Sequence, residues 1–288
     1  MEISRRSFLL STTASLAAVR LDGQQPLTAG AVIQRIKEHI GVPWRTETVD
    51  QIIAGAAATP IRGIATTMMA TFDVVKRAAA AGRNLVITHE PTFYSHQDTT
   101  DALRQDATYQ AKDAFLREHG MVVFRFHDHW HAMRPDGIAT GMARDLGWDR
   151  MADPSNPRQF VFPGVRLDAL AKDMQTRLGI KAMRVLGDPA MTVKRAAASW
   201  GYYTFAPPNI TIARPDVDLF VVGETREWET VEYVQDQIAA GQKKALIVMG
   251  HVVSEQSGMR YCAEWLKTFV PETPIEFVAA PEPFWTPS

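Results

Sequence analysis

Three stretches of this chain gather side chains able to bind a metal ion, and each stands where an apolar run ends. His89 and Glu90 follow residues 85–88 and precede Pro91; His127, Asp128, His129 and His131 follow residues 121–126; His251 and Glu255 follow residues 245–249 and Gly250. Mixed imidazole and carboxylate donors suit zinc, iron, manganese or nickel, and fit neither an all-oxygen calcium site nor a thiolate site. Neighbouring strand residues face opposite sides, so His89 and Glu90 reach one centre only if the backbone turns as the strand finishes, a turn that Pro91 favours. His251 and Glu255 are four residues apart, and a helix starting near Val252 projects both from nearly the same face. Singly, each group has a plainer reading: a His and Glu four apart often form a solvated helix pair, and a His-rich loop is often only surface. Three such groups, each at the end of a strand-like run, point to a metal site.

The elements that must position these groups alternate. From Pro60 onward strand-like and helix-like segments follow one another, which predicts an α/β fold with a mainly parallel sheet and crossover helices. Residues 61–70 form an apolar run, Thr71 caps a helix over 72–81, and strands follow at 85–88 and 121–126, with a polar, exposed connection over 95–106 between them. A helix at 137–146 leads to Asp153, Pro154 and Pro157, a break that marks a domain boundary. Beyond it come a helix over 165–178, strands at 182–186 and 196–203, and a proline-marked return through Pro207, Pro208 and Pro215. Strands at 219–222 and 245–249 and helices over 227–240 and 254–269 then resume the rhythm. The expected division is a metal-binding α/β domain of residues 26–152 plus 216–288 and a smaller inserted α/β portion of 153–215. In open α/β sheets ligands collect at the carboxyl ends of strands, where all three groups fall.

Composition narrows the function. A chain of 288 residues with 46% hydrophobic and 22% charged content buries a large core. Its formal net charge of −1 and lack of a long basic block argue against nucleic acid as a partner. Arg5 and Arg6, followed by Phe8 and a short apolar stretch, have the form of a twin-arginine export signal over residues 1–25, with the twin-arginine translocase as a partner in transit and a periplasmic or extracellular destination. That stretch is too short and too rich in Ser and Thr to span a membrane stably. The single cysteine, Cys262, sits in an apolar helical pattern and reads as a buried residue. His39, His96 and His119 read as structural or solvated. No G-x-S-x-G elbow, P-loop or G-x-G-x-x-G fingerprint is present, which leaves metal-assisted hydrolysis of a small-molecule substrate as the specific option.

In this order, the segments resemble the Nif-three-like dinuclear metal-centre family, whose members are also labelled GTP cyclohydrolase I type 2 homologues. The likeness spans residues 50–267. The family's T-H-H-P looks like Thr88, His89, Glu90 and Pro91; its H-x-x-x-D loop before a Gly-led helix looks like His127 to His131 before Asp136 and Gly137; its closing G-H-x-x-x-E looks like Gly250, His251 and Glu255, followed by Gly258. Gly223 and Glu224 are similar to the Gly-Glu turn before that last unit. Two departures are reciprocal. Glu90 replaces the second His of the family's pair, and His131 replaces the loop Asp, so the ligand charge is unchanged.

The resemblance implies two α/β portions in a Nif-three-like fold, assembled as a homo-oligomer, commonly a toroidal hexamer. It nominates His89, Glu90, His131, His251 and Glu255 as ligands of two divalent ions that share Glu255. Asp128 is the alternative loop ligand and His127 an orienting neighbour. Glu227 or His129 is the expected proton shuttle. Bulky aromatics at Trp200, Tyr202 and Tyr203, in the segment from Ser199 where members often have a Gly-rich turn, either reshape the pocket mouth or pack between domains. The expected function is an exported metal-dependent hydrolase; a non-catalytic, ring-forming metal store or delivery scaffold is the alternative.

Overall fold

A computed structural model describes residues 26–287; the expected export signal lies outside the described residues. In chain order, α1 (Ala29–His39) and β1 (Ile52–Ala54) precede β2 (Ile64–Thr67), α2 (Phe72–Ala80), β3 (Leu85–Thr88), α3 (Ala107–Glu118) and β4 (Val122–Arg125). Next come the short α4 (Asp128–Ala132), α5 (Gly137–Leu146), β5 (Ala152–Asp153), β6 (Asn156–Arg166), α6 (Leu167–Leu178), β7 (Arg184–Leu186) and β8 (Thr192–Tyr202). They are followed by β9 (Leu219–Glu224), a π-helical turn over Glu227–Val231, α7 (Glu232–Ala239), β10 (Ala245–Val248), α8 (His251–Lys267) and β11 (Ile275–Phe277). Thr71 caps α2 as its sequence predicts, its side chain accepting from Val74 N.

These elements form a mixed α/β fold with two sheets. The first runs β1-β4-β3-β2-β11 and is parallel except at β1. Every residue of β2, β3 and β4 is buried, which is why those segments read as unbroken apolar runs rather than as alternating ones. The second sheet runs β5-β6-β8-β9-β10-β7, with a parallel centre of β8, β9 and β10 and antiparallel flanks. Parallel pairs predominate across the two sheets, as expected, and the antiparallel pairs lie at their flanks. Pro154 and Ser155, placed at a domain boundary by sequence, instead form the two-residue turn between β5 and β6, a connection open only to an antiparallel pair.

Strand pairing also divides the chain differently from expectation. β9 and β10, assigned by sequence to the first portion, pair with β8 and β7, so the second sheet extends through residue 248. Only α8 and β11 return to the first sheet. Alternation along the chain names the element types but not which sheet each strand joins; hydrogen bonding to β8 decides that.

α8 touches β2 and β11 on one side and β8 and β9 on the other, and so ties the two sheets together. It crosses α5 with backbones nearly in contact. A Cβ added at Gly141 would lie 2.3 Å from Ser257 O, and one at Gly258 2.5 Å from Ile138 Cα, so no side chain fits at either point. Beside this crossing, Trp130 of α4 is fully buried between Phe126 and Trp265, with ring centroids 5.5 and 5.2 Å away. The aromatic stack locks the loop after β4 against α8. Cys262 is buried in α8, as its pattern predicts.

Candidate metal centre

Parallel pairing aligns the strand ends that carry the candidate ligands. Thr88 pairs with Arg125, so the residues following β3 and β4 emerge side by side in the first sheet, while Val222 pairs with Val248 in the second and α8, which follows β10, packs against both sheets. His89 and Glu90 come from the turn after β3, His127 and His131 from the loop and short helix after β4, and His251 and Glu255 from the first turns of α8. Gly250, at φ +94°, makes the bend from β10 into α8 in a conformation that L side chains rarely adopt.

Four imidazoles are held in the same way. Each gives its Nδ1 proton to an acceptor: His89 to Phe126 O at 3.2 Å, His127 to Asp128 Oδ1 at 3.0 Å, His131 to Asp136 Oδ2 at 3.1 Å and His251 to Glu224 Oε1 at 3.0 Å. All four Nε2 atoms turn inward. His89 Nε2 lies 3.2 Å from His131 Nε2 and 3.7 Å from Glu255 Oε2; His131 Nε2 lies 3.8 Å from Glu255 Oε1. His251 Nε2 lies 3.1 Å from Glu255 Oε2 and 3.2 Å from Glu90 Oε1, and His127 Nε2 stands 3.9 Å from Glu90 Oε1. A cation with bonds of about 2.1 Å sets neighbouring donors roughly 3 to 3.5 Å apart. The spacing fits. Two overlapping groups, His89 with His127 and His131, and His89 with Glu90 and Glu255, each keep their donor atoms within 4.8 Å of one another. The cluster is therefore a buried His/Glu group able to bind metal ions.

The electrostatics match that use. Burial alone would lower His251, but hydrogen bonds to Glu224, Glu255 and Glu90 outweigh it and push it up to about 12. Burial opposes ionisation of Glu90 as well, yet the hydrogen bond from His251 and the charge on His89 bring it down to about 2. Glu255, also buried, is held well below the usual carboxylate range by His89 and His251. Burial and then repulsion from His89 and His131 lower His127 to about 4, which keeps it neutral at neutral pH, as a ligand must be. Protons thus stand between the carboxylates where a cation would neutralise the same charge.

Supporting residues fix the donors. Arg125, buried at the end of β4, lies 3.4 Å from Glu90 Oε2 and donates to the carbonyls of His89 and His96. Asp136 does two jobs: Oδ1 caps α5 through Ile138 N and Ala139 N, while Oδ2 binds His131 and, at 2.7 Å, Arg158. From the second sheet, Gly201 closes on the cluster at φ +75°, where an added Cβ would lie 2.4 Å from Glu255 Oε1.

Several expectations need correction. Asp128 does not face the cluster; its Oδ2 accepts from Thr48 Oγ1 and Val49 N, and its Oδ1 holds His127. His131 is the loop residue that faces the cluster. His127, expected only to orient a neighbour, contributes its own Nε2. His129 is sealed away: Nδ1 donates to Asp50 Oδ2 at 2.7 Å, Nε2 accepts from Arg45 N at 2.9 Å, and the ring stacks on Trp44 at 3.7 Å. Glu227 pairs with Arg184 on the surface. Neither His129 nor Glu227 is placed to shuttle a proton. His96, expected to be structural or solvated, borders the cavity over the cluster.

Asp50, Arg125, Asp136 and the role of Glu224 are not marked as parts of the site by the sequence motifs. Asp50 accepts from the backbone N–H groups of His127, Asp128 and His129 and so shapes the ligand loop. Two of these had a local signal: Asp136 stands at a helix N-cap, and Arg125 is a charge ending a buried strand.

A cavity of about 680 Å³ opens over the cluster and is bounded by residues of both sheets. Trp200 meets both readings of the aromatic segment, since it packs 6.4 Å from Phe160 and also forms cavity wall, while Tyr203 packs on Phe220.

Two sheets that gather imidazoles and carboxylates at the carboxyl ends of their parallel strands define an α/β protein with a buried group able to hold metal. The chain belongs to the Duf34/NIF3 (NGG1p interacting factor 3) family, whose sequence pattern matches residues 24–283. It is 25% identical over 245 residues, 80% of this chain and 88% of the relative, to a GTP cyclohydrolase 1 type 2 homolog of Chlamydia pneumoniae. It superposes on a hypothetical protein of Staphylococcus aureus with a TM-score of 0.69, covering 91% of this chain and 100% of that one at 17% identity. A Bacillus cereus protein related to NIF3 gives 0.69 over 92% and 100% at 13% identity. Likeness at such identities carries the fold.

Proposed function

We propose that the protein is an exported metal-dependent hydrolase acting on a small molecule, with two divalent cations shared by Glu255 in a hexameric ring. One observation carries the reading: four imidazoles, each fixed at Nδ1 by an acceptor, direct Nε2 toward the Glu90 and Glu255 carboxylates beneath an open cavity. His89, His127 and His131 would hold one cation and His251 and Glu90 the second, with Glu255 available to both. Zinc, iron, manganese or nickel suits these donors. Bound cations supply Lewis acidity toward a substrate oxygen and bring the pKa of water toward neutrality. Asp136 and Glu224 hold the Nδ1 protons of His131 and His251, so that both rings present Nε2 to the metals without reorienting. Glu224, half exposed at the cavity, takes the place expected of Glu227 as the carboxylate that receives a proton. The open cavity favours turnover over the alternative of a closed metal store.

Metal analysis of the purified protein tests this first, with two cations per chain expected and Glu255→Ala losing both. Turnover of phosphoesters and cyclic amides should then follow metal content, and activity that survives complete metal loss would overturn the hydrolase. Light scattering of the native protein tests the ring, for which a monomeric mass is the adverse result. Export is tested by Arg5→Lys with Arg6→Lys, which should hold the protein in the cytoplasm; unchanged export refutes that step.

A further inference from the structure

Lys112 is a cation that the cluster does not use. It lies on α3, is only 2% exposed, and forms part of the cavity wall near Glu90 and His127. Its ammonium donates to Thr92 O at 2.6 Å, and among the described residues it has no other hydrogen bond and no carboxylate within ion-pair distance. An ammonium has three donors, so two remain unused in this buried position, where the only other partners among the described residues are the faces of Phe93 and Tyr94, with ring centroids 5.5 and 5.6 Å away. Arg158, also on the wall, is a half-exposed guanidinium that pairs with Asp136, so Lys112 is the buried one of the two.

Further unsatisfied groups belong to the same cavity. The Thr92 hydroxyl and the Trp200 indole N–H are buried without a partner, and both residues form its wall. Phe72, Tyr94, Trp200 and Tyr202 make much of the remaining surface aromatic. Tyr94 is held there at φ +67°, a conformation a bulky residue rarely adopts. The loop carrying it is braced by Asp98, whose Oδ1 accepts from Thr92 N and Phe93 N at 2.7 and 2.8 Å.

We infer that the cavity binds a flat aromatic compound bearing one acidic group, with the acid on Lys112 Nζ, the ring against Phe72, Tyr94 and Trp200, and the reacting end toward the His/Glu cluster. Two unused donors on one buried ammonium match one compact acidic group. Carboxylate and phosphate share the required chemistry of a compact anion with several acceptor oxygens. The inference rests on reading the cavity as the substrate site of the proposed hydrolase, but Lys112 acts by binding and not through the metals.

Calorimetric titration of the purified protein with benzoate, phenyl phosphate and the uncharged benzamide tests it, and the two acids show which anion is preferred. Lys112→Met and Lys112→Gln, each checked for a native circular dichroism spectrum, should weaken the preferred acid by about tenfold or more, the worth of a charge-assisted hydrogen bond, and leave benzamide unchanged. The same Lys112 effect is expected on a Glu255→Ala background, so failure of the metal reading and failure of this one are separable. Unchanged acid binding in both variants overturns the proposal. So does equal weakening of acid and amide, which would make Lys112 a packing residue, or no binding of either acid by the unaltered protein.

Discussion

His129 and His131 stand two residues apart on the same short helix, and each gives its Nδ1 proton to an aspartate, yet one serves the scaffold and the other the site. The His129 ring is fully buried against Trp44, with Asp50 on one nitrogen and Arg45 N on the other. The His131 ring, with Asp136 on Nδ1, leaves Nε2 facing His89 and Glu255. Two residues along a helix turn the chain by about 200°, so both cannot face the cavity. An Asp–His pair is therefore not functional by composition. What separates the two is whether the second nitrogen is already satisfied by the protein.

Substitutions at the two positions should have opposite consequences. His131→Ala is expected to lower metal affinity by more than about tenfold, read by equilibrium dialysis, while the folded state persists. His129→Ala should instead cost about 3 kcal/mol in urea unfolding, from the emptied ring site and the stranded Asp50 carboxylate, and keep its bound metal at 25 °C. If the two variants exchange behaviours, the contrast is wrong. Asp136→Asn leaves the ring of His131 in place but weakens its orienting partner, so a loss of roughly 10- to 100-fold in metal affinity is expected. A variant that binds metal normally would show that the cap on α5, not the ligand, is what Asp136 supports.

Lys112 extends the comparison to a buried group with most of its capacity unused. Burial lowers its amine from the ordinary 10.5 to about 8, with nearby Asp98 opposing the shift only in part. The folded state therefore binds fewer protons than the unfolded chain between about pH 8 and 10.5, and stability rises with pH across that window. Urea unfolding at pH 8 and pH 10 should show the rise in the unaltered protein and a flatter dependence in Lys112→Met. An equal slope in both would mean that Lys112 is charged as freely in the fold as in water.

Much of the scaffold was legible in local pattern. The unbroken apolar runs at 85–88 and 245–249 correspond to the fully buried strands β3 and β10, and Thr71 caps its helix as expected. The placement of β9 and β10 was not legible, because a buried parallel strand looks alike in either sheet. The Asp153 to Pro157 segment misled for a related reason: the same residues that end a domain also make a hairpin turn.

For the site, the sequence by itself determined which donors exist and that they fall at strand ends, because residue type and hydrophobic period are local properties. It also set His251 and Glu255 on one helical face by their spacing of one turn. Only the tertiary structure decided that His127 and His131 turn inward while Asp128 and His129 turn away. That choice depends on how α4 is rotated by Asp50, Trp44 and the Trp130 stack, contacts made by residues up to 135 positions away from Trp130 at Trp265. Rotation of a short helix is fixed by what packs around it, and no local spacing encodes that.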